Sequence, residues 1–199
     1  MSDLFEEKAQ DWDKRERIQK LSSAIGACIM KHVRLNSTMQ VMDFGAGTGL
    51  IASQLAPLVA QITAVDISES MLQKLLQKPE LKNKVTVACQ DITVKPLGVQ
   101  FDLIVSAMAM HHVEDTPHLF ATLAQHLKSG GQLALADLDS EDGTFHAHGT
   151  EGIFHQGFDR LELANLLRAS GFKEVQFFDA HTVVSENGSY PVFLLTASK

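Results

Sequence analysis

The sequence predicts a single α/β domain built on a doubly wound, mostly parallel β-sheet. Three observations predict this class: apolar segments of strand length alternate with helical segments, short connections join them, and glycine or acidic residues follow the strands. Because crossovers between parallel strands are right-handed, this alternation places helices on both faces of one sheet. The 199 residues, 45% of them hydrophobic, can bury one large core.

An amphipathic helix precedes the first strand. Apolar residues in this region recur at helical spacing, which predicts a helix docked on the sheet. They are Ile18, Leu21, Ile25, Ile29 and Val33. We therefore expect residues 1–38 to form a helical cap on the domain.

The first strand runs into a glycine-rich turn, residues 45–49, which reads Gly-Ala-Gly-Thr-Gly. Glycine tolerates positive φ and leaves room for a ligand across the end of the strand. Leu50 stands where the dinucleotide fingerprint has its third glycine, and no Gly-Lys-Ser/Thr of a phosphate loop follows. Asp43, just before the turn, would repel a pyrophosphate but suits a cationic or hydroxyl-rich ligand.

The next two strands also lead into acids. The β-branched segment 61–66 ends at Asp66, about 20 residues after the glycines, where a carboxylate can accept hydrogen bonds from both hydroxyls of a ribose. A third strand, residues 85–89, is followed by Asp91. The ends of parallel strands meet at one edge of the sheet, so these acids together are a more specific signal than any one alone.

The helices and strands keep alternating up to residue 138. The predicted elements are a helix at 69–78 capped by Ser68, a strand at 101–106, a helix at about 117–127 and a strand at 132–138. The glycine-containing segment 128–131 should end the second of these helices, because its residues tolerate a left-handed cap.

After the fifth strand the pattern breaks. Residues 139–157 are rich in Asp, Gly and His and show no apolar period, which predicts a surface loop or lid. Asp159, in a capping-box pattern, then begins a helix that ends at Gly171. Strands at residues 175–179 and 191–196 complete the chain.

The glycine turn and the acids around it resemble those of the class I S-adenosylmethionine-dependent methyltransferases. The resemblance implies a Rossmann-like doubly wound sheet of seven strands, mostly parallel with an antiparallel last strand, in one domain over residues 1–199. It also implies S-adenosyl-L-methionine as the cofactor. The expected cofactor-binding residues are Asp43, Gly45, Ala46, Gly47, Thr48, Gly49, Asp66, Ile67, Asp91, Ile92, Ser106 and Ala107.

The end of the fourth strand should face the transferred methyl group. It lacks the Asn/Asp-Pro-Pro-aromatic motif of the enzymes that methylate exocyclic amino groups of nucleobases. Neither Cys28 nor Cys89 is placed as the nucleophile of a cytosine-C5 enzyme. The pair His111 and His112 instead resembles the small-molecule branch, including the quinone-biosynthesis methyltransferases. We therefore expect a small-molecule acceptor.

Residues 5–13 resemble the amino-terminal segment that closes the substrate pocket in that branch. Within it, Trp12 either contacts the ligand or anchors the segment. The expected substrate contacts are Trp12, Met110, His146 and His148.

Three histidines are candidate catalytic bases, because an imidazole accepts a proton near neutral pH. His111 or His112 lies nearest the expected methyl group, although either could instead cap the next helix or bond to the backbone. His155 is the preferred candidate, because it precedes a helix start whose dipole favours the neutral imidazole.

The histidines of the expected lid also have a metal interpretation. His146 and His148 with a neighbouring carboxylate are suitable ligand types for Zn, Mn or Fe. A His-x-His on a loop has no fixed geometry, however, so we assign no metal site. Substrate contact, proton transfer and a solvated loop remain open for these residues.

Charge and composition exclude other classes. The formal net charge is -7 and the basic residues are dispersed, which counts against nucleic acid as the partner. No segment is long enough to cross a bilayer, and the acidic start does not read as a signal peptide. The two cysteines are expected to be free, buried thiols in the cytoplasm. The oligomeric state is left open.

Two hypotheses follow. The first is a methyltransferase acting on a small molecule, and the second is a noncatalytic partner or sensor that binds S-adenosylmethionine or S-adenosylhomocysteine. A nicotinamide oxidoreductase is disfavoured by the glycine missing at Leu50.

Overall fold

The computed structural model of the chain describes residue 3, residues 5–146 and residues 151–199. The strands are β1 (Gln40–Phe44), β2 (Gln61–Asp66), β3 (Val85–Cys89), β4 (Phe101–Ala107), β5 (Leu127–Leu138), β6 (Lys173–Ser185) and β7 (Gly188–Ser198). The helices are α1 (Glu6–Ala9), α2 (Glu16–His32), α3 (Leu50–Leu55), α4 (Glu69–Leu76), α5 (Thr116–Gln125) and α6 (Arg160–Ala169). Short 3₁₀ helices lie at Trp12–Lys14, Pro79–Leu81 and Met110–His112.

All seven strands form one sheet in the order β3-β2-β1-β4-β5-β7-β6. The pairs among β1 to β5 are parallel, whereas β7 runs antiparallel to both of its neighbours. This confirms the predicted doubly wound sheet with its antiparallel last strand. The strand order reverses between β1 and β4, and ligands of such sheets bind at the carboxyl ends of the strands beside that point.

Helices cover both faces of the sheet. Apolar residues of α2, α3 and α4 form the core on one face, and those of α5 and α6 form the core on the other. Successive strand residues point to opposite faces, so Val41 of β1 joins the first core and Met42 joins the second.

Two predicted helix starts have the expected caps. The Ser68 hydroxyl accepts a hydrogen bond from the Met71 N–H at the start of α4. An Asp159 carboxylate oxygen accepts from both Leu161 and Glu162 at the start of α6. Each side chain satisfies backbone donors that have no partner within the helix.

The boundary between α5 and β5 differs from the prediction. α5 ends at Gln125, and the segment 128–131 lies inside β5 rather than capping the helix. The pairing jumps from Phe101–Leu127 to Leu103–Gln132, which leaves an irregular bulge in β5. Gly130, with φ of 74°, supplies the left-handed residue within it.

The last two strands are longer than predicted and form one hairpin. β6 and β7 pair from Lys173–Ser198 to Ser185–Gly188, so only two residues connect them. The connecting residues are Glu186 and Asn187, and Gly188 is already paired with Ser185 as the first residue of β7.

The two ends of the segment predicted to be a lid, residues 139–157, lie side by side next to the end of β5. Ser140 N–H donates to the Phe158 carbonyl, and Glu141 N–H donates to the Gln156 carbonyl. His148 lies outside the described residues. Among the helices that the structure describes, none is long and apolar enough to cross a membrane.

Candidate functional site

A cavity of about 490 Å³ lies at the carboxyl ends of the strands, beside the point where the strand order reverses. Nine of the twelve predicted cofactor-binding residues line it. They are Asp43, Gly45, Ala46, Gly47, Thr48, Asp66, Ile67, Asp91 and Ala107. The three acids that the sequence placed at successive strand ends therefore meet at one site.

The glycine turn is held against β2 by its own backbone. The N–H groups of Gly45 and Ala46 both donate to the Val65 carbonyl, at 2.9 and 3.0 Å. Gly45 has φ of 69°, and a Cβ atom there would lie 2.3 Å from Cβ of Ala109. Only glycine fits this position, because both the backbone conformation and the available space exclude a side chain.

The Asp66 carboxylate organises the same turn. One of its oxygens accepts from the Gly47 N–H at 2.7 Å, and the other accepts from the Ser68 N–H at 2.9 Å. Burial raises the pKa of Asp66, while these backbone hydrogen bonds oppose that rise. Each carboxylate oxygen can accept a second hydrogen bond, so the residue can also bind hydroxyl groups of a ligand.

Asp43 is a buried acid without a full set of partners. It is 1% exposed, and its Oδ2 atom has no hydrogen-bond partner among the described residues. Burial, together with the nearby Asp66 carboxylate, raises the pKa of Asp43 to about 7. An unpaired buried carboxyl group that lines a cavity fits a ligand with a positive charge.

Asp91 lies at the exposed rim of the cavity. Its Oδ1 atom accepts from the N–H and the hydroxyl of Thr93. Three other residues predicted to contact the cofactor do not line the cavity. Ile92 and Ser106 are fully buried, and Gly49 is the N-cap of α3, packed against Leu75 of α4.

The amino-terminal segment covers the cavity. Phe5 and Trp12 both line it, with their rings edge to face at 6.5 Å. Both expectations for Trp12 agree with this position, since the ring lies at the cavity and also packs within the segment. Ile18 of the following helix lines the cavity as well.

Asp13 fastens this segment to the side of the cavity that the glycine turn forms. One of its carboxylate oxygens accepts from the Thr48 hydroxyl at 2.5 Å, and the other pairs with the Lys78 ammonium at 2.8 Å. We call these two contacts the latch. Asp3 makes a second attachment, accepting from the Ser68 hydroxyl at 2.9 Å. Closing the cavity therefore depends on acids that carry no recognisable sequence motif.

Replacing Asp13 by alanine is expected to free the segment. Hydrogen bonds to charged groups contribute about 1.5–3 kcal/mol, so local opening should become about 10- to 150-fold more frequent. Trypsin cleavage after Lys14 and Arg15, followed by mass spectrometry, measures this opening.

Asp11→Ala is the matched control for the latch. Asp11 also pairs with a lysine, Lys14, but both side chains are more than 60% exposed, and such pairs contribute little. Equal cleavage rates for Asp11→Ala and Asp13→Ala would show that the latch does not hold the segment.

His118, which was not among the three candidate bases, lines the cavity, and of those three only His112 does. The Nδ1 atom of His112 lies 2.7 Å from the Gly152 carbonyl, which can only accept, so Nδ1 carries the proton and Nε2 is left as an acceptor. Burial and the neighbouring His111 lower the pKa of His112 to about 4. The ring is therefore neutral at physiological pH.

His111 lies directly behind His112. The two ring centroids are 4.2 Å apart, and His111 is 1% exposed. Its Nδ1 atom lies 2.7 Å from the carboxylate of Asp137, which is itself fully buried. Asp115 caps α5, so neither histidine of the pair serves as the cap of that helix.

His155 does not line this cavity. It lines a second cavity of about 320 Å³, and its Nε2 atom lies 2.9 Å from the Val113 carbonyl. α6 begins only at Arg160, capped by Asp159, so the helix dipole does not act on His155 as we expected. The geometry therefore favours His112 over His155 as the candidate base.

The remaining predicted substrate contacts are dispersed. Met110 is fully buried in the core. His146 lines the second cavity, with its ring 5.1 Å from that of His111. In the described residues, no three His, Cys, Asp or Glu side chains are arranged to hold a metal ion. The metal interpretation of His146 with His148 reaches beyond those residues.

Several lining residues were not identified from the sequence. Phe5 and Phe154 lie on segments without an apolar period, so no pattern marked them. Met108 also lines the cavity and has φ of 58°, a conformation that its sequence position does not indicate.

Comparison with known proteins gives a consistent picture. Residues 12–177 match the family model described as "Methyltransferase domain". An uncharacterized methyltransferase of Schizosaccharomyces pombe is 30% identical over 157 residues, which are 70% of this chain and 55% of that protein. The ubiquinone biosynthesis O-methyltransferase of Coxiella burnetii is 29% identical over 140 residues, which are 68% of this chain and 60% of that protein. The chain thus spans between half and two thirds of the length of these relatives.

A solved structure has the same fold. The N-methyltransferase NodS of Bradyrhizobium japonicum, in complex with S-adenosylhomocysteine, superposes with a TM-score of 0.72 at 17% identity, covering 94% of this chain and 89% of NodS. Together, the match to the family model and the acids and glycines at the strand ends show that the chain belongs to the class I S-adenosylmethionine-dependent methyltransferases.

Proposed function

We propose that this protein transfers the methyl group of S-adenosylmethionine to a small-molecule acceptor. The observation that carries this proposal is the continuity of one cavity from the buried, unpaired Asp43 to the imidazole of His112. The first residue suits the charged end of the cofactor, and the second suits the acceptor.

The residues around the glycine turn suit S-adenosylmethionine, the cofactor that the family implies. The unsatisfied Asp43 carboxyl would face its positively charged amino acid end. Asp66 has acceptor capacity left for the ribose hydroxyls, and Asp91 lies at the rim, where the nucleoside would end. The bound cofactor supplies a methyl group already activated by a sulfonium, so the protein has to position the acceptor and exclude water.

The acceptor half is enclosed by apolar side chains. Phe5, Trp12, Ile18 and Phe154 line the same cavity as His112, and the Phe5 ring lies edge to face with the His112 ring at 5.5 Å. No lysine or arginine is among the described residues that line the cavity, which disfavours an acceptor carrying phosphate groups. The shape and polarity support a small, largely apolar acceptor whose nucleophilic atom lies near Nε2 of His112.

The domain assignments belong to the same proposal. Residues 1–199 would act as one methyltransferase domain, with residues 1–38 as the cap and 139–157 as a lid over the acceptor. We also propose a cytoplasmic location, which the two free cysteines support. Cys28 is buried as expected, whereas the expectation that Cys89 is buried was wrong, because it lies exposed on the edge strand β3.

Calorimetric titration tests the cofactor assignment. S-adenosylmethionine and S-adenosylhomocysteine should bind, and NAD should not. Asp66→Ala should weaken binding by about 1–3 kcal/mol, because its hydrogen bonds are lost. Asp102→Ala is the control, since Asp102 bonds to Gln40 and Lys128 at the opposite edge of the sheet. Binding of NAD in place of S-adenosylmethionine would refute the proposal.

Methyl transfer distinguishes the enzyme from the noncatalytic binder. Radiolabelled S-adenosylmethionine should methylate at least one member of a panel of phenols, catechols, thiols, amines and carboxylic acids. Binding without transfer to any of them would favour the sensor alternative.

A further inference from the structure

We propose that Asp137 is a positioning residue that acts through His111, so that the buried pair of histidines can accept the proton that the acceptor loses. This inference rests on the proposed function, because it assigns a role within the same site. Asp137 itself does not line the cavity.

The hydrogen bonds of Asp137 fix the tautomer of His111. Three N–H groups point at its two oxygens: the backbone N–H groups of His111 and Leu138, and Nδ1 of the His111 ring. An ionised carboxylate only accepts, so the ring proton must be on Nδ1. The Nε2 atom of His111 is then left as an acceptor, as it is in His112.

The carboxylate of Asp137 is arranged to offset positive charge in this buried cluster. It lies 2.7 Å from the His111 ring, and that ring lies 4.2 Å from the ring of His112, which is neutral before transfer. A proton accepted by His112 is therefore placed close to a negative charge. Buried charges are costly unless they are paired, and Asp137 provides the pairing.

The other charged groups around the cluster do not replace this carboxylate. His146, 5.1 Å from His111, also has its pKa lowered to about 4, chiefly by burial. Lys8 and Arg17 contribute positive charge, which lowers the pKa of His112 and of His146 respectively. Asp137 is the acid that opposes them at both rings.

In the proposed methyl transfer, every bond, electron pair and proton is accounted for. A bond forms between the acceptor atom and the methyl carbon, and the carbon–sulfur bond breaks with its electron pair going to sulfur. The acceptor proton passes to Nε2 of His112. The positive charge of the sulfonium disappears as His112 gains one, so a His112 ring that is neutral before transfer avoids placing a second cation beside the sulfonium.

The first test needs no activity. In ¹⁵N NMR spectra of the wild-type protein, His111 should be the Nδ1–H tautomer. Asp137→Asn offers one oxygen to three N–H donors, so the ring should change to the Nε2–H tautomer. The protonation midpoint of His112 should also move to lower pH, by about 1 unit.

Asp139→Asn is the matched control. Asp139 follows two residues later and pairs with Arg160 instead of a histidine, so its replacement should leave both imidazoles unchanged. If Asp137→Asn prevents folding, Asp137→Ser serves as the second variant, and the same changes of the His111 tautomer and the His112 midpoint are expected, because the carboxylate that raises the pKa of His112 is again removed. An unchanged His111 tautomer and His112 midpoint in the variant that folds would overturn the proposal.

Kinetics separate positioning from a merely structural role. With an acceptor that must lose a proton, Asp137→Asn should lower kcat by about 100-fold or more, with little change in KM. With a phenol already ionised at the assay pH, the loss should largely disappear. An equal loss with both acceptors would overturn the inference. Absence of any methyl transfer would instead contradict the proposed function and leave the NMR result to decide on Asp137.

Discussion

Replacing Gly45 by alanine should lower the free energy of unfolding by about 2–5 kcal/mol and should strongly reduce affinity for S-adenosylmethionine. The left-handed φ of 69° costs a residue with a side chain about 1–2 kcal/mol. The new Cβ atom would also lie 2.3 Å from Cβ of Ala109, and such overpacking typically costs about 1–3 kcal/mol. Urea denaturation and calorimetry measure the two effects.

Two control variants separate the cost of the left-handed backbone conformation from the cost of the steric overlap with Ala109. Gly130 has φ of 74° and nothing within 4 Å of its would-be Cβ, so Gly130→Ala should show the backbone cost alone. Adding Ala109→Gly to Gly45→Ala removes the colliding atom and should restore the part of the stability lost to overpacking. If Gly45→Ala is no worse than Gly130→Ala, the turn does not pack against Ala109.

The sheet and the cofactor half of the site were predictable, because their signals are local. Apolar strand segments and the acids that follow them mark the carboxyl edge of a parallel sheet wherever the helices lie. Asp43, Asp66 and Asp91 therefore meet as the sequence predicted. Whether a residue next to such an acid lines the cavity is harder to predict, because alternate strand residues point to opposite sides of the sheet. Ala107 lines the cavity, for example, whereas Ser106 is buried behind it.

The acceptor half could not be predicted, because long-range packing decides it. Phe5 and Phe154 are far apart in the sequence and meet at the cavity only after folding. His155 looked well placed before a helix, but the returning chain directs its ring at the Val113 carbonyl. No sequence spacing links His111 to Asp137, because a helix and most of a strand separate them.

The affinity for S-adenosylmethionine should fall as the pH drops below about 7. Burial and the Asp66 carboxylate raise the pKa of Asp43 to about 7 in the protein without ligand. In the proposed site the cofactor's ammonium group would pair with the ionised carboxylate of Asp43, so binding should favour loss of the proton. Affinity should then decrease by up to about tenfold per pH unit below 7, and binding at pH 6 should release about one proton.

The contribution of Asp43 to the free energy of unfolding of the unliganded protein should change with pH in the opposite direction to the affinity. The pKa of Asp43 is higher in the folded chain than its ordinary value of 3.8, so the folded state binds the extra proton between about pH 4 and 7. This carboxyl group therefore favours folding at the acidic end of that window and opposes it as the pH rises. His112 and His146, whose pKa values are lowered to about 4, act in the reverse sense between about pH 6.5 and 4.

Asp43→Asn isolates the contribution of this one carboxyl group from those histidines. The difference between wild type and Asp43→Asn should show stability and affinity changing with opposite signs, and proton release on binding should vanish in the variant. Methylthioadenosine, which lacks the amino acid end, is the matched ligand, and its affinity should vary little between pH 8 and pH 6. Equal pH dependence for both ligands would show that Asp43 does not face the cofactor's ammonium group, because only one of them carries it.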